Sequence, residues 1–282
     1  MRAQVNGTDL YYETVGHGPP MLVMHGGLGL DHTYFRPWMD QLGDTVEVIY
    51  YDHRGNGRSE RPADWSGINH ETWAADADAL RAYLGHEKIV LFGHSYGGFL
   101  AMEYATRYGD RLRGLVLSCT TPCMDYPEVI VGNALARSTP EVGEAVVNGL
   151  SSLSDKDEDM AALIGTIIPL YFNRPDPEVM AQLGANTHYS GPAFAHAFST
   201  CVPNYSMVGK LGGINVPTLV ISGADDWITP TSHGADRITP EIPNAQLAVF
   251  ERSGHFPFIE ETEQFMQVMR DWLGKLDEWS DQ

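Results

Sequence analysis

The segment LFGHSYGGFL, residues 91–100, decides the fold, because an apolar run enters a glycine-containing turn and a second apolar run leaves it. Within it, GHSYG at residues 93–97 matches the pattern Gly-x-Ser-x-Gly. A serine on a sharp strand-to-helix turn brings the residues two before and two after it too close to their neighbours for a Cβ, so glycine is required there. The segment therefore predicts a buried strand, a tight turn that carries Ser95, and a buried helix.

Short apolar runs on both sides of this segment predict the rest of the sheet. They are continuous rather than alternating, which is typical of parallel strands covered on both faces. The runs lie at residues 21–24, 46–51, 89–92, 115–117, 218–221 and 247–250. Helical spacing separates them, as at Trp73, Ala77 and Leu80. Strands that alternate with helices predict an α/β fold on a mostly parallel sheet.

This alternation stops over residues 122–210, where no run of the same kind occurs. Two helix starts are visible there instead, at Thr139-Pro140-Glu141 and Asp176-Pro177-Glu178. Each offers an N-cap side chain, a proline at the first helical position and an acid in the first turn. The sequence therefore predicts a core of residues 1–121 and 211–282, interrupted by a helical insertion over residues 122–210.

The composition narrows the classes of partner. The chain has 282 residues and a formal net charge of −19, which disfavours nucleic acid and anionic membranes because both are polyanions. Three cysteines without paired spacing indicate neither a disulfide framework nor a zinc site. Residues 1–13 contain no apolar core of signal-peptide length, and no apolar run approaches the length of about 20 residues that a bilayer span needs. We expect a cytoplasmic protein with a small-molecule substrate, no metal and no cofactor; the oligomeric state is not predicted.

The carboxyl ends of parallel strands are where ligands bind in open α/β sheets, so the residues after each run are the candidates for chemistry. The hydroxyl of Ser95 is a weak nucleophile and needs an adjacent base. Of the 11 histidines, His255 is the candidate base, because it follows the last predicted strand in a glycine-containing loop. It also follows the serine and the acid in chain order.

The acid that orients this base has two candidates, Asp225 and Asp226, which both follow the run at residues 218–221. The spacing Gly223-x-x-Asp226 favours Asp226, and Asp225 is the alternative. Ser95, Asp226 and His255 are thus the predicted catalytic residues.

The loop HGGLG at residues 25–29 follows the first apolar run and predicts an oxyanion hole. A tetrahedral intermediate needs backbone N–H donors that are in place before the charge develops. We expect one donor from Tyr96, the residue after the nucleophile, and the other from Gly27.

In combination, HGGLG, YDHRGNGRS, GHSYGG, GADDWITP and SGHF resemble the α/β-hydrolase superfamily over nearly the whole chain. The resemblance implies an eight-stranded, mostly parallel sheet flanked by helices, with a helical cap inserted after the sixth strand. It also implies a serine hydrolase, since haloalkane dehalogenases and epoxide hydrolases of this fold carry aspartate where this chain has Ser95.

Within the superfamily the chain is similar to the proline iminopeptidase group, with two departures. Leu28 stands where the group's HGGPG loop has proline, and Tyr205, after Pro203-Asn204, stands where its cap has a glutamate that holds the substrate amine. Leu28 and Tyr205 become candidate substrate-binding residues. The departures favour a small ester or lactone over a short peptide. A proline iminopeptidase-like aminopeptidase and a non-catalytic ligand-binding module are the alternatives.

Overall fold

The computed structural model describes residues 1–151 and 153–279. Its eight strands are β1 (Arg2–Val5), β2 (Thr8–Val15), β3 (Pro20–Met24), β4 (Glu47–Tyr51), β5 (Ile89–His94), β6 (Leu112–Ser118), β7 (Thr218–Gly223) and β8 (Ala245–Phe250). The α-helices are α1 (His70–Tyr83), α2 (Tyr96–Tyr108), α3 (Pro127–Arg137), α4 (Pro140–Ser151), α5 (Asp157–Ile167), α6 (Pro177–Asn186), α7 (Gly191–His196), α8 (Ala235–Ile238), α9 (Pro257–Glu260) and α10 (Thr262–Trp279).

The strands form one sheet in the order β1-β2-β4-β3-β5-β6-β7-β8. Pairing is antiparallel for β1 with β2 and for β2 with β4, and parallel from β4 to β8. All six apolar runs lie in the parallel part, so the predicted mostly parallel sheet is confirmed. The strands β1 and β2 were not predicted, because β2 alternates buried and partly exposed residues and contains no continuous apolar run.

The core has one layer on each face of the sheet. On one face, Leu91 of β5 packs in a cluster that includes Trp73 and Leu100 from α1 and α2. On the other face, Phe92 packs with residues such as Phe265 of α10. Successive residues of β5 therefore point into opposite layers, which is the reason its whole run is apolar.

Helices α3 to α7 lie between β6 and β7 in the chain. Helix α4 begins at Pro140, and α6 begins at Pro177, where the Asp176 side chain accepts a hydrogen bond of 2.9 Å from the backbone N–H of Glu178. A separate apolar cluster joins several of these helices to Trp227, which follows β7. The proposed boundaries at residues 122 and 210 stay a prediction. Among the described helices, none is long and apolar enough to cross a membrane.

Candidate active site

The central strand β5 ends at His94 and α2 begins at Tyr96, so Ser95 alone forms the turn between them. Its backbone has φ +55° and ψ −122°, in the left-handed half of conformational space that non-glycine residues rarely adopt. Two hydrogen bonds from the end of β6 hold this conformation: Ser95 N–H donates to Ser118 O at 3.0 Å, and Thr120 Oγ1 donates to Ser95 O at 2.7 Å.

Close backbone approach explains the glycines of this turn. A Cβ at Gly97 would lie 2.1 Å from the carbonyl oxygen of Met24 at the end of β3. A Cβ at Gly26 would lie 2.7 Å from Cβ of Ser95. The first turn of α2 and the loop after β3 can therefore press against each other only because both positions lack a side chain.

His255 and Asp226 form a buried pair, with His255 Nδ1 2.7 Å from Asp226 Oδ2. The carboxylate also accepts hydrogen bonds from the backbone N–H groups of Ile228 and Thr229, both at 3.0 Å, and from Thr229 Oγ1 at 2.6 Å. Burial alone would raise the pKa of Asp226, but His255 and these hydrogen bonds outweigh it and hold that pKa below its usual range. Because an ionised carboxylate only accepts, Nδ1 of His255 must donate, which leaves Nε2 as the nitrogen that can act on Ser95.

The alternative acid, Asp225, points elsewhere. Its carboxylate lies 2.9 Å from a guanidinium nitrogen of Arg137 on α3, and 38% of its side chain is exposed. Of the two candidates, the structure brings only Asp226 to His255.

Ser95 and His255 line the same cavity. No hydrogen bond joins the two side chains in the described part of the chain. Hydrogen bonds between a nucleophile and its base are often long in a free enzyme and tighten when substrate is bound. Ser95 and His255 thus lie on the wall of one cavity, which is where a nucleophile and its base both have to be.

The loop after β3 lies on this wall as well. Gly27, with φ +50°, and Tyr96 both line the cavity. Neither backbone N–H donates a hydrogen bond to another group among the residues described. The neighbouring N–H groups are engaged: that of Gly26 donates to Tyr34 Oη at 2.6 Å, and that of Gly29 donates to Asn56 Oδ1 at 2.5 Å. The loop is therefore fixed while Gly27 and Tyr96 keep their donors for a ligand.

Most of the remaining cavity wall is apolar. It includes Leu30, Phe99, Met160, Ile164, Phe194 and Phe198, several of them from the helices between β6 and β7. Within the described residues, no aspartate, glutamate, lysine or arginine lines the cavity. The site can thus take an uncharged group without leaving a buried ion unpaired.

The two predicted substrate-binding residues are not among the residues that line the cavity in the described part of the chain. Leu28 is fully buried in the core, and Leu30 lines the cavity in its place, because the loop reverses at two glycines with positive φ, Gly27 and Gly29. Tyr205 is also buried: it stacks on Phe99 at 4.3 Å between ring centroids. Phe99 is the ring that reaches the cavity, so Tyr205 supports the wall from behind.

One group of the described residues has ligand atoms close enough for a metal ion, with His94, Cys119 and His255 within 4.8 Å of one another. Both ring nitrogens of His94 already take part in hydrogen bonds, and Nδ1 of His255 is engaged by Asp226. The group therefore fits a packed hydrogen-bonding cluster better than a metal centre.

Sequence reasoning did not identify Tyr34 or Thr229 as residues of the site. Tyr34 lies in a short 3₁₀ turn and lines the cavity, and Thr229 binds the acid. Tyr34 belongs to none of the motifs, and Thr229 lies within GADDWITP but was given no role there. His94 did have a signal, since it lies inside the serine motif.

Comparison with known proteins gives concordant matches. A family model described as the alpha/beta hydrolase fold matches residues 19–138 and 161–262. A proline iminopeptidase of Lactobacillus helveticus is 30% identical over 308 residues, which covers 96% of each chain. Among solved structures, a thermophilic esterase from Thermogutta terrifontis superposes with a TM-score of 0.78 at 28% identity, covering 98% of both chains. The enol-lactonase from Burkholderia xenovorans LB400 gives 0.79 at 26% identity, covering 97% of this chain and 100% of the other.

Proposed function

The chain belongs to the α/β-hydrolase fold family, and from that membership we propose that it is a serine hydrolase which cleaves a small, uncharged carboxylic ester or lactone. In this proposal Ser95 is the nucleophile, His255 the general base and Asp226 the acid that orients it. Gly27 and Tyr96 supply the oxyanion hole.

The reaction follows from the placement of these groups. As Ser95 Oγ attacks the carbonyl carbon, His255 Nε2 takes the proton of the serine hydroxyl. Asp226 stabilises the imidazolium that forms. The negative charge on the carbonyl oxygen is met by the N–H groups of Gly27 and Tyr96. The imidazolium returns the proton to the leaving alcohol, which leaves an acyl group on Ser95. A water molecule activated by the same base then releases the acid.

The helices between β6 and β7 act as a cap in this proposal, over residues 122–210. Support comes from Met160 and Ile164 of α5 and from Phe194 of α7, which line the cavity beside Ser95. An apolar cap of this kind excludes water from the acyl group and strengthens the electrostatic contacts inside.

The observation that carries the choice of substrate is the uncharged cavity wall. A prolyl substrate brings a protonated amine, and burying that charge without a paired carboxylate costs several kcal/mol. No acidic side chain among the described residues lines the cavity to compensate for it. An ester or lactone has no such requirement, and the names of the esterase and enol-lactonase structures agree with this choice.

A proline iminopeptidase-like aminopeptidase is the second candidate. It is favoured by the relatives of that name, which match nearly the full length of this chain. The two candidates differ in one respect that can be measured, the preference for or against a charged amine on the acyl group.

A matched substrate pair separates them. The p-nitrophenyl esters of cyclopentanecarboxylic acid and of proline share ring size and leaving group and differ only in the ring nitrogen. We expect the cyclopentane ester to have the higher kcat/KM, and small lactones to be cleaved faster than proline-β-naphthylamide. If the prolyl member of each pair is better by about tenfold or more, the aminopeptidase assignment replaces ours.

A further inference from the structure

A chain of hydrogen bonds links the oxyanion loop to the catalytic base through two buried side chains, Tyr34 and His94. The backbone N–H of Gly26 donates to Tyr34 Oη at 2.6 Å. Tyr34 Oη lies 2.8 Å from His94 Nδ1, and His94 Nε2 lies 2.8 Å from the carbonyl oxygen of His255. Tyr34 is 5% exposed and His94 is 1% exposed, so water competes little for these contacts.

The two ends of the chain fix the direction of every hydrogen bond in it. At one end the N–H of Gly26 can only donate, so Tyr34 Oη accepts there and its own proton is available to His94 Nδ1. At the other end the carbonyl of His255 can only accept, so His94 Nε2 must carry a proton. One tautomer of neutral His94, protonated on Nε2, satisfies all the groups at once.

The surroundings of His94 keep it neutral. Aromatic rings pack around it, including Phe256, stacked at 5.7 Å between centroids, and Phe258, edge-on at 5.4 Å. Burial, together with the nearby His255, lowers the pKa of His94 well below its usual range. A charged His94 would present a second donor to Tyr34 Oη and would break the chain.

This chain of hydrogen bonds holds His255 in place through the backbone of that residue. The N–H of His255 donates to Tyr171 O at 2.7 Å, and its carbonyl accepts from His94, so both sides of the residue are fixed. Gly26 directly precedes Gly27, the expected oxyanion donor. The base and the oxyanion loop are therefore tied to each other through the side chains of Tyr34 and His94.

We propose that Tyr34 and His94 are positioning residues, and that their hydrogen-bond chain sets the separation between the oxyanion loop and His255. This inference rests on the proposed function, because it takes His255 as the base and Gly27 as an oxyanion donor. Their placement matters most in the transition state, when the carbonyl oxygen and the serine proton must be met together. Loss of the chain lowers kcat and leaves KM nearly unchanged.

The test is the substitution Tyr34→Phe, which removes one oxygen and keeps the ring. It leaves the N–H of Gly26 and Nδ1 of His94 without partners. We expect kcat on the preferred ester to fall about tenfold or more with KM little changed. The matched control is Tyr104→Phe, because Tyr104 is equally buried and donates to Asp78 Oδ1 at 2.9 Å, away from the cavity. In the control we expect kcat within about twofold of wild type.

A second measurement uses the wild-type protein and does not depend on the stability of a variant. The ¹⁵N chemical shifts of the His94 ring identify which nitrogen carries the proton. We expect a protonated Nε2 and an unprotonated Nδ1. Protonation on Nδ1, or a loss of kcat in Tyr34→Phe no larger than in Tyr104→Phe, would overturn the inference. Ester turnover that survives Ser95→Ala would instead overturn the proposed function, while leaving the tautomer result interpretable.

Discussion

At the residue scale, Asp225 and Asp226 carry the same side chain at adjacent positions, and the fold gives them different environments. Asp226 is 1% exposed and bonded to His255, whereas Asp225 is half-exposed and paired with Arg137. The difference in environment comes from the turn after β7, in which the Asp226 carboxylate also accepts hydrogen bonds from two backbone N–H groups. A role in catalysis therefore depends on the position in the turn and not on the residue type.

This contrast gives a prediction with a built-in control. Asp226→Asn should lower kcat/KM by about 10³–10⁴, because an amide in place of the carboxylate no longer fixes the Nδ1–H tautomer of His255. Asp225→Asn should change it by less than about tenfold, since it alters only a surface ion pair. Both variants are measured on one ester under the same conditions. The reverse order of effects would show that Asp225 orients the base.

Sequence alone predicted the residues that belong to short motifs at strand ends. Ser95 is identified by its two flanking glycines, and His255 by its position after the last strand. Leu28 and Tyr205 were assigned from a resemblance between loops, and the structure buries both behind the cavity wall, because glycines with positive φ and the stacking on Phe99 decide which side chains face the cavity. The direction in which a side chain points depends on packing between residues that are distant in sequence, and no local sequence pattern encodes it.

At the element scale, the strand–turn–helix unit of β5 and α2 is set by contacts that allow no Cβ. Gly97 lies in the first turn of α2 against the backbone at the end of β3. A Cβ added at Gly97 would lie 2.1 Å from a backbone carbonyl oxygen. The backbone of a central strand cannot move aside to relieve this contact, whereas the end of a flexible side chain could.

A pair of glycine-to-alanine substitutions tests this. Gly97→Ala should destabilise the protein by about 1–3 kcal/mol through overpacking. Gly132 lies in the interior of α3, and no atom lies within 4 Å of a Cβ added there. Gly132→Ala should therefore be neutral or stabilise the protein by up to about 1 kcal/mol. Denaturant unfolding of both variants gives the comparison. A Gly97→Ala protein as stable as wild type would show that the turn has room for a Cβ at position 97.

The elements that sequence predicted well are those with strong local signals. Every central strand is a continuous apolar run, and α6 begins at the proline that follows its N-cap, Asp176. The hairpin of β1 and β2 was missed, because β2 belongs to the antiparallel part of the sheet and alternates buried with partly exposed residues. Their place in the sheet is decided by pairing with β4, which is distant in sequence from β1.

At the scale of the whole molecule, several buried histidines make stability depend on pH. Burial lowers the pKa of His25 and brings the pKa of His53 well below its usual range, and it lowers the pKa of His70 to about 4. In the unfolded chain a histidine takes up a proton near pH 6.5. Between the folded and unfolded pKa values the unfolded state binds more protons, so stability is lost as the pH falls below about 6.5.

His70 provides the test of this effect. The difference between the folded and unfolded pKa values of His70 corresponds to a loss of up to about 2 kcal/mol in the free energy of unfolding at pH 5 relative to pH 7. His70→Gln cannot take up that proton, so its free energy of unfolding should fall less between pH 7 and pH 5 than that of wild type. Urea unfolding at both pH values measures the difference. Parallel losses in the two proteins would show that His70 is free to protonate in the folded state.

The overall family was predictable because its motifs lie along nearly the whole sequence, and the predicted resemblance and fold class are confirmed by the family match and the solved structures. The shape of the cavity was not predictable. Its wall is built by side chains such as Met160 and Phe194 from the insertion, where helix starts can be identified but packing cannot. Substrate preference depends on that wall, which forms only when the insertion packs against the core.

The most direct test of the account is the ester kcat/KM of purified Ser95→Ala beside that of wild type, with thermal unfolding used to show that both are folded. Removing the nucleophilic oxygen leaves the cavity, the base and the oxyanion donors in place, so a loss of turnover reports on that oxygen alone. We expect kcat/KM to fall about 10⁴-fold or more. A folded Ser95→Ala protein with kcat/KM close to that of wild type would contradict it.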